Sequence, residues 1–271
     1  MIKLQGKWIL ITGASSGIGA VFARELARRG NHLVLVARSE NKLEALAKQL
    51  RKEHGIQVEV IVNDLSKEGA PLKLYEECQQ RQLSMDMVIN NAGFGTHGFF
   101  EQLSGERQHE EVMLNVMSVV GITHLFLPGL LQKGSGAVIN VSSTAAFQPD
   151  PYMAVYGASK AFVLSFTQAL WEENRTRGVQ FLALCPGSTQ TDFFNVVGSE
   201  EASVGKKSTP EHVVKSALQA LEKGQPYVVP GFQNYMTAQV SRLLSHKQVL
   251  RLVGGLLQPR NKGKESLKPS H

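Results

Sequence analysis

Cysteine is scarce: the 271 residues hold two, Cys78 and Cys185, far apart and near no histidine cluster. That argues against a disulfide framework and a zinc site, and it suits a reducing compartment. Zinc-finger spacing, the aromatic signature of RNA-binding domains and internal repeats are missing as well. The N-terminal "MIKLQGKWILITG" has only a short apolar run before a glycine, too short for a secretory core or a membrane span. The chain therefore reads as cytosolic, with no metal site.

Excess charge is absent from most of the chain. The net charge is +6, from 29 Lys/Arg and 23 Asp/Glu. Residues 242–271 carry seven of the bases and one acid, Glu265, so 22 of each sign remain before them and cancel. No basic stripe crosses the body of the chain, which excludes a nucleic-acid surface there and makes the basicity a property of the tail. Hydrophobic residues at 42% and charged ones at 19% are ordinary for a globular protein.

What is present is alternation. Strand-length apolar runs stand at 7–12, 32–37, 58–62, 86–90, 137–142, 179–185 and 226–229. Most are continuously hydrophobic, as strands buried on both faces are. Helical patterns fill 17–30, 40–53, 67–81, 106–132, 152–176 and 210–223. This predicts an α/β doubly wound parallel sheet of about seven strands with helices on both faces, spanning 1–231. Residues 232–271 form a helical extension and a polar, basic tail. Asp150-Pro151 and Thr209-Pro210 read as N-cap and N1 proline of the helices that follow them.

Between the first strand and first helix lies "TGASSGIG", residues 12–19. Glycines at such a turn let the backbone approach a pyrophosphate, and the helix N-terminus supplies free N–H groups and a positive dipole end. After the second strand comes Arg38, where a carboxylate would hold a ribose 2′-hydroxyl; a guanidinium pairs with a 2′-phosphate instead. This predicts NADP over NAD. Tyr156 and Lys160 stand four residues apart on one helix face.

The Gly13, Gly17, Gly19 spacing resembles the loop of the compact, single-domain branch of short-chain dehydrogenases/reductases, and the resemblance continues in order through most of residues 5–230. It implies a Rossmann-type oxidoreductase with NADP as cofactor. Gly13, Ser15, Ser16, Gly17, Ile18 and Gly19 would form the phosphate loop. Asp64, followed by Leu65, would meet the adenine, and Asn91, Ala92 and Gly93 would line the adenosine side. Within "PGSTQT", Pro186 and Gly187 would lead to Thr189 and Thr191 at the nicotinamide carboxamide. The implied catalytic residues are Asn115, Ser143, Tyr156 and Lys160, with Ser143 preferred over Ser142 because it lies thirteen residues before Tyr156. Members of the family often assemble through the helix carrying the tyrosine, which implies a homodimer or homotetramer.

The chemistry of these residue types fits. Carbonyl reduction needs a hydride donor and a proton donor on the oxygen. A tyrosine of pKa ~10 is a weak acid, and a nearby ammonium is expected to lower it. A serine hydroxyl can hold the substrate oxygen, and an asparagine can position a water behind the lysine.

The substrate is expected between 94–100, 144–153 and 192–207, the last as a lid. The candidate walls are Phe94, Phe99, Phe147, Met153, Phe193, Phe194 and Val196, with His97, Gln148 and Asp150 as polar exceptions. That lining favours an apolar or acyl-carrying carbonyl: a 3-oxoacyl thioester, or a steroid- or retinoid-like ketone. A cofactor-sensing regulatory protein without turnover is the alternative. In the extension, Leu243, Leu244, Val249, Leu250, Leu252 and Val253 alternate with Arg242, Lys247 and Arg251. The pattern suits docking on the core or a partner subunit, favoured because Gly254-Gly255 interrupts it, or contact with an anionic membrane.

Overall fold

The computed structural model describes residues 5–199, 202–203, 205–241 and 244–259. Among them seven strands form one parallel sheet: β1 (Trp8–Thr12), β2 (His32–Ala37), β3 (Val58–Val62), β4 (Met87–Asn90), β5 (Gly136–Val141), β6 (Val179–Leu184) and β7 (Tyr227–Val228). Their order is β3-β2-β1-β4-β5-β6-β7. The expected fold class is borne out.

The pleat sends Ile9 and Ile11 of β1 to one face and Leu10 to the other, so continuous apolar strands feed two cores. One face is covered by α1 (Gly17–Arg28), α2 (Glu40–His54) and α8 (Pro210–Glu222), through residues such as Phe22, Leu46 and Leu218. The other carries α3 (Ala70–Gln80), α5 (Ser118–Gln132) and α6 (Ala154–Glu173), with Leu74, Phe126 and Trp171 packed on it.

The segment expected as one helix over 106–132 is α4 (Gly105–Val112) and α5 joined by a π-helical stretch, Met113–Met117. It is the described helix long and apolar enough to cross a membrane, yet Ile122, Phe126 and Leu130 are buried against the sheet.

A polar ladder pins α6. Asn90 of β4 donates to Asn140 of β5 (2.8 Å), and Asn140 donates to Thr167 of α6 (2.9 Å). All three are buried, where unpaired amides would cost heavily.

Of the two expected helix starts, one is observed and one is not. Thr209 does cap α8, its hydroxyl accepting from His212 N–H at 3.3 Å. Asp150 does not cap α6, which starts at Ala154 behind Met153. Tyr152 adopts a left-handed φ of +65°, breaking the path from Pro151 into the helix. The buried Asp150 carboxyl instead accepts from the Gln148 amide at 3.0 Å.

Beyond β7 come α9 (Phe232–Val240) and α10 (His246–Leu257). Gly254-Gly255 does not interrupt α10. A Ser245–Gln248 capping box starts the helix, and Gly254 lies close to Pro151, where a Cβ would meet Cγ at 3.6 Å. Both helices dock on the body of the chain. Arg242, Leu243 and the tail from 260 lie outside the described residues, as do 200, 201 and 204 of the expected lid.

Candidate active site

The strand order turns back on itself at β1 and β4, which opens a crevice beyond their carboxyl ends. Thr12 stitches the two strands. Its Oγ1 accepts from the N–H groups of Asn91 (2.9 Å) and Ala92 (3.0 Å), and the Asn91 amide donates back to the carbonyls of Thr12 (2.9 Å) and Gly13 (3.2 Å). Gly13 has φ +65°, and a Cβ there would sit 2.8 Å from Asn91 Nδ2 and 2.9 Å from Ala92 Cα. No side chain fits.

The cavity above this point has a volume of about 940 Å³. Gly13, Ser15, Ser16, Gly17 and Ile18 line one end. Ser16 is the N-cap of α1 and makes no side-chain cap bond, and the first turn of α1 holds no acid. That leaves an N-terminal cradle suited to phosphate. Gly19 does not line the cavity; it packs on the Gly13 carbonyl, where a Cβ would collide, and brings helix and strand together.

Arg38, Asp64 and Leu65 line the cavity as well, Arg38 just after β2, whose Val36 carbonyl accepts from Ala14 N–H of the glycine turn. Burial opposes the Asp64 charge. The Ser66 hydroxyl (2.7 Å) and amide (3.1 Å), with Arg38 and Lys67 nearby, outweigh it and hold the carboxyl below its ordinary value. Asn91, Ala92 and Gly93 form the floor. The Asn91 side chain is committed to the β1 turn, so its contribution is to shape the loop.

Ser143, Tyr156 and Lys160 share the opposite wall, and Pro186, Gly187, Thr189 and Thr191 flank it. Ser143 Oγ accepts from Ala145 N–H at 3.1 Å and caps the short 3₁₀ turn Thr144–Phe147. Ser142 is committed elsewhere, donating to the Lys160 carbonyl at 2.7 Å and tying α6 to β5. Both serines line the cavity. Tyr156 packs on Gly95, where a Cβ would lie 2.9 Å from Cδ2 of the ring.

Asn115, on the π-helical stretch, is wholly buried and lies behind the cavity wall rather than on it. Its amide donates to the Phe94 carbonyl (2.8 Å) and Ser159 (3.1 Å), while Oδ1 accepts from Phe94 N–H (3.2 Å). A Cβ on Gly93 would meet both Asn115 Oδ1 (2.9 Å) and Lys160 Nζ (3.2 Å), which puts the two side chains on one small space.

The ionisation states differ from the sequence-based expectation. Burial pushes the Tyr156 phenol above the usual range against the Ser143 hydroxyl, and the carboxyls of Asp150 and Glu111 act the same way as burial. Burial lowers Lys160 to about 8, with the Glu111 carboxyl opposing. Lys160 Nζ donates to the Val141 carbonyl at 3.0 Å and lies 5.7 Å from the Tyr156 ring centroid, so burial dominates both groups.

Of the expected substrate walls, Phe94, Met153, Phe193, Phe194, Val196, Gln148 and Asp150 line the cavity. Three residues do not. Phe99 is an exposed partner of Tyr152, Phe147 packs on Tyr227, and His97 Nε2 bonds the Leu257 carbonyl at 2.7 Å. The missing wall comes from α9 and α10, through Met236, Leu252, Val253 and Leu256. Asn234 presses on Gly187, where a Cβ would lie 2.7 Å from it. Thr12 and Glu111 were not singled out from sequence; a threonine directly before the first glycine was the available signal for Thr12.

Comparisons with known proteins agree with this geometry. A family model described as short chain dehydrogenase matches residues 7–202. The very-long-chain 3-oxoacyl-CoA reductase of Anas platyrhynchos is 31% identical over 79% of this chain and 68% of its own length. The inactive hydroxysteroid dehydrogenase-like protein 1 of Homo sapiens is 31% identical over 69% of this chain and 57% of its own. The chain thus spans little more than half the length of some curated relatives it matches. A short-chain dehydrogenase from Sphingobium yanoikuyae in complex with NADPH superposes with a TM-score of 0.80 at 32% identity, covering 95% of this chain and 98% of that one. With a matching model across most of its length, a seven-stranded parallel sheet and a glycine turn beneath the same cavity as Tyr156 and Lys160, the chain belongs to the short-chain dehydrogenase/reductase family.

Proposed function

We propose that the protein is an NADP(H)-dependent oxidoreductase that interconverts a carbonyl and a secondary alcohol on an apolar or acyl-carrying substrate. One observation carries this reading: Ser143, Tyr156 and Lys160 share one wall of a cavity whose other end is the Gly13–Ile18 turn with Arg38 beside it. The tight glycine turn and the uncapped start of α1 fit a pyrophosphate. Arg38 suits a 2′-phosphate, and the cavity floor at Asn91–Gly93 suits an adenosine. Once bound, the cofactor supplies a hydride.

The chain's own residues supply the rest. Ser143 Oγ holds the substrate oxygen and stabilises its developing charge. In reduction Tyr156 gives that oxygen the proton of its phenol, and in oxidation it takes one away. Lys160, held to β5 through Val141, holds the cofactor ribose and stabilises the phenolate that remains. The apolar walls from α7 (Phe193–Val197), α9 and α10 exclude water from that exchange.

The substrate assignment is supported by the apolar side chains of Met153, Phe193, Leu252 and Leu256 in the lining, and by the 3-oxoacyl-CoA reductase relative. A second copy of the chain is the partner this reading favours. The outer face of α6 stacks Phe162 on Phe166 at 5.7 Å and leaves Phe162 41% exposed, while Met117 stands 51% exposed on the neighbouring helix. A second reading, a cofactor sensor without turnover, is favoured by the relative named inactive.

The test is NADPH and NADH consumption with 3-oxoacyl thioesters of increasing chain length and with bulky ketones, in the wild type and Arg38→Ala. The reading predicts turnover with NADPH that rises with chain length, and a preference over NADH that Arg38→Ala reduces by about tenfold, the scale of one charge-assisted contact. NADPH binding without turnover across the panel would leave the sensor. Equal use of the two cofactors, unchanged in Arg38→Ala, would refute the NADP assignment.

A further inference from the structure

One buried carboxyl, absent from the cavity lining, is not used by the proposed chemistry. Glu111 closes the last turn of α4, four residues before Asn115 and on the same side of the helix. It is 0% exposed. Oε2 accepts from the Thr96 hydroxyl at 2.8 Å, and Oε1 has no hydrogen-bond partner among the described residues. Such a group is rare inside a protein, because an ionised carboxylate with one bond costs far more to bury than a paired one.

The charged and titratable groups around it are few. From α6, Lys160 and Tyr156 both feel its charge and are both raised by it, which favours the ammonium and disfavours the phenolate. Arg107 of its own helix is stacked 3.8 Å over Phe94 and bonded to Glu110, and its charge adds a smaller pull toward the carboxylate than Lys160 does. Thr96 comes from the loop after β4. Lys160 is itself short of acceptors: its ammonium has three donors, and Nζ bonds the Val141 carbonyl. The other charged neighbour acting on it is Cys185, a buried thiol pushed up to about 12 and so neutral. Lys160 and Glu111 are thus two buried groups of opposite charge, each favouring the ionised form of the other. Asn115 lies four residues on from Glu111 and close to Lys160 Nζ across Gly93.

We propose that Glu111 is the buried counter-charge of Lys160, a positioning residue that keeps the lysine protonated while Tyr156 works. This rests on the reading of Lys160 given above. Its consequence concerns pH. Lys160 stands at about 8 with Glu111 beside it, chiefly through burial, and Glu111 is itself raised to about 7, also by burial. Burial thus works against the charge on both groups, and each offsets part of that effect on the other. Without the carboxylate, the lysine would lose its proton at a lower pH.

The experiment follows the ¹³Cε signal of Lys160 across pH 6–11 in the full-length chain labelled with ¹³C-lysine, assigned by its loss in Lys160→Met. No cofactor or substrate is needed, so failure here is separate from failure of the proposed reaction. Glu111→Gln, which keeps the shape and the Thr96 bond, is expected to lower the Lys160 midpoint by roughly one unit, the low end for an opposite charge at close range. Thr96→Val, which removes the bond favouring the carboxylate, is expected to lower it by a smaller amount and serves if Glu111→Gln does not fold. A merely structural Glu111 would change the unfolding temperature and leave the midpoint alone. An unchanged midpoint in either folded variant overturns the proposal.

Discussion

Tyr156 and Lys160 are brought together by two unrelated devices. One is the four-residue spacing on α6; the other is the pair of bonds that fix Lys160, Nζ to Val141 and its carbonyl to Ser142. Burial then decides their ionisation, and the same burial has a thermodynamic signature. In the folded chain Glu111 keeps its proton to about 7, whereas an unfolded glutamate releases it near ~4.3. Between those values the folded state binds more protons, so its stability falls as pH rises. Lys160 has the opposite sign: from about 8 to ~10.4 the unfolded state binds more, and stability rises with pH. Thermal unfolding from pH 5 to 7 should therefore show the wild type losing stability relative to Glu111→Gln, by at most about 1.4 kcal/mol per pH unit. Parallel curves for the two proteins would contradict a protonated Glu111. The glycines, Tyr156 and Lys160 were legible because the motifs of the family resemblance occur in order around them; the four-residue spacing alone is common in helices and would not have marked the pair. Glu111 was not, because an acid in "HEEVMLN" looks like any solvated helix face until the fold buries it.

Elements were legible where hydrophobic period and length coincide, as in β2, β6, α1 and α8. They were less so where a local irregularity does the positioning. The π-helical stretch at Met113–Met117 carries Asn115, and the apolar run of residues 106–132 gives no sign of it. The left-handed Tyr152, which delays α6 to Ala154, opposes the ordinary preference of a bulky residue and could not be read from Asp150-Pro151. Gly254-Gly255 reads as a helix break, yet packing against Pro151 and a good cap carry α10 through it. That helix closes the substrate end through Leu257, which is 4% exposed beside Met153 and Phe194, and through the His97 bond to its carbonyl. Because this small cluster is separate from the two cores that flank the sheet, Leu257→Ala should loosen α10 alone. The expected result is a KM for long acyl substrates raised about tenfold, with NADPH affinity and the main unfolding transition nearly unchanged. Coincident loss of cofactor affinity would mean that α10 supports the whole site.

At the scale of the molecule, seven apolar strands separated by amphipathic helices left little choice of architecture, which is why the sheet was legible before its coordinates. The position of the crevice follows from the strand order, since β1 and β4 are neighbours although two strands separate them in sequence. The substrate end was only half legible. Its walls at Phe94, Met153 and Phe194 lie on segments that follow strand ends, where ligands of such sheets bind. The walls from α9 and α10 depend on how an extension folds back, which periodicity does not encode. The whole arrangement converges on one hydroxyl, and the most direct test of the account is to remove it. Tyr156→Phe should retain the wild-type NADPH affinity, measured by titration calorimetry, and lose at least about a thousandfold in NADPH consumption with whichever carbonyl the wild type reduces best. A variant that binds NADPH normally and keeps a substantial share of that activity would contradict Tyr156 as the proton donor.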